Sequence, residues 1–236
     1  MSDLLFQYIS ENLKSASRSL FVGESFGKGK SYDRYPFIQL EEPVKAPAIS
    51  LVEALAGRKS TREFRENNMS LSQLSDWLFY SSKHTNSPHG MSTPFPSGGG
   101  LYPVENYILV LNVEGLGRGI YHYDSCRHGL RGLPHPLCEN EKISRVFKYS
   151  GDQPDAILCM TMLKHRNFPK YGYRGYLLSL LEAGHRMQNL HLVASVYDLG
   201  CCSLGAGDFT EVNDLLAVDG VNEHYVYATT VGLKKN

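Results

Sequence analysis

Pro94-Phe95-Pro96-Ser97-Gly98-Gly99-Gly100-Leu101-Tyr102-Pro103-Val104-Glu105 leads straight into NYILVLNV at 106–113. Prolines on both sides of three consecutive glycines leave no room for a helix or a regular ladder, so the first stretch is a shaped loop. The second is apolar and β-branched enough to be a buried strand, which anchors the loop to the core at one end. A loop of this kind can bring main-chain N–H groups close to a ligand, and the same pattern also suits a hairpin connection with spare glycine.

Working outward, the residues alternate between helix and strand signals. Downstream, Gly119–Asp124 (GIYHYD) alternates as a strand and His128-Gly129-Leu130 supplies a turn, which together suggest antiparallel pairing. Residues 139–148 read as a helix, Asp155–Leu163 as a buried strand and Glu223–Gly232 as a final strand. Tyr176–Leu199 forms a long helix, apolar on most sides and stopped by Gly200, and all-round apolarity predicts a central helix or one at a subunit interface. On it, Gly184 would permit close backbone approach, while Gln188, Asn189 and His191 suit core hydrogen bonds better than ligand contacts. Cys201–Gly207 reads as a glycine-bearing loop, and Asp208 and Glu211 cap a short helix.

Upstream, Ser70 and Gln73 form a capping box for a helix with Leu71, Leu74, Trp77 and Leu78 on its inner stripe. Ser50 and Glu53 open a shorter helix that ends at Gly57 and delivers Arg58-Lys59-Ser60-Thr61-Arg62. In an extended segment, Arg58, Ser60 and Arg62 project to one side, two guanidinium forks and a hydroxyl aimed at a phosphate-sized target; the other reading is a solvated charge cluster. Residues 3–14 have helical spacing, and 21–47 dissolve into Gly, Ser, Pro and mixed charge, an extended segment.

The charge balance, 24 Lys plus Arg against 24 Asp plus Glu in 236 residues, offers no field for nucleic acid or an anionic membrane. No apolar run reaches the roughly 18 residues of a spanning helix and no secretory signal opens the chain, which points to a cytoplasmic protein. Five cysteines without CxxC spacing argue for buried thiols over disulfides or zinc, and His84 and His89 lack partners of metal-ligand spacing. Lys170-Tyr171, between the buried strand and the long helix in a stretch broken by Pro169 and Gly172, is chemically suggestive. A cation beside a phenol lowers the phenol's pKa and lets it act as a base nearer neutral pH, although two ordinary surface residues would look the same.

Three pieces stand in order: a helix followed by RKSTREF, the PSGGGLYPVE loop before a strand, and KYGYRGY followed by LEAGHRMQNLHL and a glycine stop. This order resembles the nitroreductase superfamily and, within it, the SagB-type dehydrogenases, which include the azoline oxidases of thiazole/oxazole-modified microcin pathways. The resemblance runs from about Ser50 to Gly232. It implies an α+β fold, a central mainly antiparallel sheet flanked by helices, with the long helix at a homodimer interface and an FMN at each interface. It divides the chain into an N-terminal helix and extended segment, 1–49, and an FMN-binding domain, 50–236.

By the same resemblance, Arg58, Lys59, Ser60 and Arg62 hold the FMN phosphate, and Pro96, Ser97 and Gly98 lie along the isoalloxazine. Leu204 and Gly205 approach the ring, and Lys234 closes the phosphate site. Lys170 and Tyr171 carry the catalysis. The implied activity is oxidation of a thiazoline or oxazoline in a ribosomally made precursor peptide beside a cyclodehydratase complex, with hydride passing to FMN and oxygen reoxidising it. Phe95, Tyr102 and the tyrosines of KYGYRGY could flank a flat substrate or simply pack the core. A generic NAD(P)H-dependent flavin reductase or nitroreductase, and a flavin-free scaffold subunit, are the alternatives.

Overall fold

A computed structural model of the protein describes residues 30–45, 47–87 and 90–235. The helix expected at 3–14, the first part of the extended segment (21–29) and His89 lie outside the described residues.

Seven strands form one sheet in which every neighbouring pair is antiparallel. In chain order they are β1 (Phe37–Gln39), β4 (Val104–Val110), β5 (Gly119–Asp124), β6 (Gly129–Gly132), β7 (Ala156–Leu163), β8 (Leu199–Leu204) and β9 (Glu223–Leu233). Their spatial order is β1-β6-β5-β4-β7-β9-β8. β2 (Thr85–Ser87) and β3 (Gly90–Ser92) form a separate hairpin. β1 falls within the stretch that composition reads as unpatterned: it is three residues long, too short for an alternation to show.

Both faces of the sheet are covered because the central strands are apolar on both sides. Ile108 and Val110 of β4 join Leu158 and Met160 of β7 beneath α2 (Leu71–Ser82) and α5 (Arg174–Val196). Tyr107 and Leu109 point the other way, with Ile157 and Cys159, beneath α3 (Asn140–Phe147) and α6 (Phe209–Leu216). Leu74, Trp77 and Leu78 are fully buried on α2, and the Trp77 indole N–H donates to Leu190 O on α5 at 2.8 Å. The capping boxes at Ser50 and Ser70 are both present, opening α1 (Leu51–Gly57) and α2.

Three expectations around the long helix change. It ends at Val196, and the chain reverses at Asp198 with φ 54°, so Gly200 is a residue of β8 and not the stop. Gly200 is required elsewhere: a Cβ there would lie 2.9 Å from Thr61 Cγ2, and one at Gly232 would lie 2.8 Å from Phe64. The segment after Arg58 crosses the end of the sheet through this gap, with Thr61 N–H donating to Cys201 O at 2.7 Å and Arg65 N–H to Leu233 O at 2.8 Å. Residues 201–204 are accordingly strand, and only 205–208 form a loop.

The buried stripe of α5 is also not apolar, since it contains Ser179, Glu182, Arg186 and His191, while Leu180 and Leu181 face outward. Gly184 is exposed, with no atom of the described chain within 4 Å of a Cβ placed on it. The stretch read as broken by Pro169 and Gly172 is a helix, α4 (Lys164–Tyr171), capped by Gly172 at φ 55°. Pro169 sits inside this helix and forgoes the bond an N–H would make to the carbonyl four residues back.

Candidate functional site

The glycine loop curls into a single 3-10 turn, Gly98–Gly100, and packs against α4 and α5. Gly99 (φ 67°), Gly100 (φ 66°) and Tyr102 (φ 46°) all adopt the left-handed region, easy for glycine and strained for Tyr102. A Cβ on Gly99 would stand 2.3 Å from Tyr171 Oη and 2.9 Å from Lys170 Nζ, and one on Gly98 would meet Leu178 at 3.1 Å. The loop and the Lys-Tyr pair, about 70 residues apart in sequence, are therefore in direct contact, and the missing side chain of Gly99 is the space that Tyr171 occupies. Lys170 Nζ lies 5.2 Å from the Tyr171 ring centroid; Lys170 is exposed and Tyr171 partly buried.

Sequence reasoning missed what holds this loop. Side chains one turn apart along α5 reach it in register: Glu182 accepts from Ser97 Oγ–H at 2.5 Å, Arg186 donates to Val104 O at 2.5 Å, and Asn189 donates to Pro94 O at 2.8 Å. From α4, Arg166 donates to Tyr102 O at 2.6 Å and pairs with Glu105 at 2.5 Å, and the other oxygen of Glu105 meets His122 Nε2 at 2.8 Å. Burial raises the Glu105 carboxyl, but Arg166 and His122 outweigh it and hold the acid well below its usual range. For Glu182 burial prevails, so its carboxyl is pushed up despite Arg186 and Ser97. The available signal was the pair of opposite charges at i and i+4 on an otherwise apolar helix, which is expensive to bury without a purpose.

Ser97 is bonded both to α5 and across its own loop. Its hydroxyl hydrogen goes to Glu182 and its oxygen accepts Tyr102 N–H at 2.9 Å, so it holds the loop together and does not present a free group. Pro96 is exposed. Phe95 is core, buried beneath the Arg186 guanidinium at 4.6 Å, and Tyr102 faces His84 with ring centroids 5.1 Å apart, so neither flanks an open surface.

The basic segment sits at the far end of α5: about 20 Å of helix, at 1.5 Å per residue, separates Leu178 from His191. Lys59, Ser60 and Arg62 are exposed and Arg58 is partly buried. Arg62, Ser203, Leu204 and Gly205 share a cleft of about 380 Å³ with Lys148 and Tyr149. Leu204 turns its side chain into the core, whereas Gly205 faces open space. His191 pairs with Ser203 Oγ at 2.9 Å, and burial followed by the charge of Arg58 lowers its imidazole from the ordinary range. Lys234 reaches this end through a bridge to Phe64, but its ammonium pairs with Asp198 at 3.0 Å, an acid it shares with Arg65. Thus Arg58, Arg62, Leu204, Gly205 and Lys234 gather at one end, and Pro96, Ser97, Gly98, Lys170 and Tyr171 at the other.

His84, read as structural, is buried with its pKa lowered to about 3 by loss of water and by Arg186. Among the described residues no His, Cys, Asp and Glu cluster is arranged to hold a metal. Cys159, Cys201 and Cys202 are buried thiols as expected, whereas Cys138 is partly buried and Cys126 is exposed. No described helix is long and apolar enough to cross a membrane.

The fold recurs in solved structures. A nitroreductase-type protein from Ralstonia eutropha covers 91% of this chain with a TM-score of 0.72 at 21% identity, the match taking in 97% of that protein. A chain of the Escherichia coli microcin synthetase McbBCD complex, solved with truncated pro-MccB17 bound, matches over 100% of this chain and 95% of its own at a TM-score of 0.63 and 20% identity. In sequence, the nitroreductase-family protein MJ1384 of Methanocaldococcus jannaschii is 30% identical over 171 residues, 72% of this chain and 85% of that one. The E. coli microcin B17-processing protein McbC is 34% identical over 116 residues, 45% of this chain and 42% of McbC, in line with the SagB-type resemblance. The nitroreductase family profile matches residues 55–233, and with an α+β fold built on an antiparallel seven-stranded sheet, the chain belongs to the nitroreductase family.

Proposed function

We propose that this protein is an FMN-dependent dehydrogenase that oxidises thiazoline or oxazoline rings of a ribosomally made peptide to thiazole or oxazole, as a homodimer working beside a cyclodehydratase complex. The observation that carries this reading is the seating of Tyr171 and Lys170 against Gly99, which joins a base and a cation to a loop with almost no side chains. A generic reductase has no need of a tyrosine base; ring aromatisation does.

The residues fit FMN. Among the described residues no acid pairs with Arg58, Lys59 or Arg62: nearby Asp198 is taken by Arg65 and Lys234, and Asp152 by Lys235. Three cations and the Ser60 hydroxyl are thus left for a dianionic phosphate, with Lys234 as a further cation at this end. Gly205, beside that segment in the cleft, leaves room for a flat ring, and Ser97 and Gly98 would form the second wall. The separation of the two groups along α5, and the outward-facing Leu180 and Leu181, support a site assembled between two copies.

Bound FMN would supply the acceptor for the hydride lost in aromatisation. Tyr171, acting as a phenolate beside the Lys170 ammonium, takes the other hydrogen, as a proton, from the ring carbon next to the carbonyl and becomes a neutral phenol. Gly99, lacking a side chain, leaves the space in which the Tyr171 phenol sits.

The visible spectrum of the purified protein tests the cofactor, and loss of two hydrogens from a cyclised peptide tests the reaction. Tyr171→Phe and Lys170→Ala proteins that keep FMN and lose azole formation support the assignment; full azole formation by both ends it. The 30% identity to MJ1384 favours, as a second reading, an NAD(P)H-driven nitroreductase. Bleaching of the bound flavin by NADPH at a catalytic rate, with no azole formed, selects that reading.

A further inference from the structure

Glu182 is 1% exposed on the buried stripe of α5, beside Ala183 and one turn before Arg186, a place where a carboxylate is costly and an apolar residue would pack at no such cost. Its Oε1 lies 3.6 Å from Arg186 Nη1 and makes no hydrogen bond, so its compensation is incomplete. What it does make is the bond to Ser97. The Ser97 hydroxyl donates to Glu182 while its oxygen receives Tyr102 N–H, which ties position 97 to position 102 and closes the loop on itself. Within that closed loop Gly99, Gly100 and Tyr102 are all at positive φ, a shape the backbone does not hold unaided at Tyr102. Its apex, Gly99, is the point of contact with Tyr171 and Lys170.

We infer that Glu182 is a positioning residue: acting through Ser97, its carboxylate latches the glycine loop in the one shape that seats Gly99 against Tyr171 and Lys170. The latch fixes where a ring presented over the loop lies relative to the phenol. Arg186, holding Val104 O at the loop's exit, and Asn189, holding Pro94 O at its entrance, fix the ends, so the Glu182–Ser97 bond governs the middle. The catalytic half of this inference rests on the dehydrogenase reading; the latch itself does not.

The test uses the full chain with Ser97→Ala, Ser97→Thr, Glu182→Gln and the Ser97→Ala/Glu182→Gln double variant. Amide hydrogen exchange over residues 98–102, measured on FMN-free protein, reads the latch. Ser97→Ala should speed exchange there about tenfold or more with the core unchanged, Ser97→Thr should restore protection, and the double variant should exchange no faster than Ser97→Ala alone. Unchanged exchange in Ser97→Ala, or additive effects in the double variant, overturns the latch. For catalysis, kcat for azole formation should fall about tenfold in Ser97→Ala and Glu182→Gln, with the same non-additivity, at equal FMN content. A loosened loop with kcat unchanged overturns the positioning role. Absence of azole formation by the wild-type protein refutes the dehydrogenase reading, while the exchange result still decides the latch.

Discussion

The two ends of α5 carry groups of opposite character. At the glycine loop nearly every polar group is spent on the protein itself: Ser97 on Glu182 and Tyr102, Arg186 on Val104, Arg166 on Tyr102 and Glu105, and the space above Gly99 on Tyr171. At the basic segment the pairing is left undone, with Arg58, Lys59 and Arg62 lacking acids among the described residues and Gly205 facing nothing. A region whose bonds close internally sets geometry. One whose charges stay open has binding capacity in reserve.

The sharpest way to break this contrast is to remove the groups proposed to react. Tyr171→Phe should lower azole formation by roughly 10²- to 10⁴-fold, the usual worth of a positioned acid or base, without loss of bound FMN. An equal loss of FMN would place Tyr171 in the binding group instead. Arg58→Ala and Arg62→Ala should act the other way. Each weakens FMN binding about 10- to 100-fold, the loss of one charge-assisted contact, as read by flavin fluorescence titration, while the unfolding midpoint of the FMN-free protein barely moves.

Adding one methyl group to each region sharpens the contrast further. Gly99→Ala meets both a positive φ and the Tyr171 hydroxyl at 2.3 Å, so it should cost about 1–3 kcal/mol in denaturant unfolding. Gly205→Ala, in open space, should stay within about 0.5 kcal/mol of wild type without FMN and show its effect only in FMN retention. Equal costs would remove the distinction between a closed and an open region.

A further effect is with pH. His84, against the loop residues Phe95 and Tyr102, has a folded pKa of about 3, below its unfolded value near 6.5. The unfolded chain therefore binds the extra proton first. The contribution is complete above about pH 6.5 and fades as pH falls toward 3, by up to ~1.4 kcal/mol per pH unit. Thermal unfolding of His84→Gln between pH 7 and 5 should show a correspondingly shallower loss than wild type.

Much of the fold was legible because its signals are local. Capping boxes at Ser50 and Ser70, the doubly apolar β4 and β7, and the Asp208 cap each announce an element without reference to the rest of the chain. The readings that failed depend on contacts distant in sequence. Gly200 looked like a helix stop because nothing nearby reveals that Thr61 needs the space above it. Pro169 looked like a breaker because the bonds that hold α4 against α5, from Asn167 to Gly175 O and Ser179 Oγ, cannot be seen from the residues beside it. Of the candidate site, the motifs could be located but not their bonds: Ser97 was visible as a polar group, yet its acceptor lies 85 residues away on a helix whose composition reads as apolar. Buried charges such as Glu182 and Arg186 are the class of residue that such a reading discounts.

The crossing of residues 61–65 over the sheet end also has a mechanical side. Asp152 accepts Phe64 N–H at 3.1 Å and Lys235 Nζ at 2.7 Å, its own N–H goes to Arg62 O at 3.1 Å, and Lys235 N–H reaches Glu63 O at 3.3 Å. Lys235 and the basic segment are therefore joined through one aspartate. A force applied at Lys235, by a fused domain or a surface tether, would be shared between the end of β9, two residues away, and, through Asp152 and Glu63, the segment that carries Arg62. The alignment of the cations would answer to that load directly.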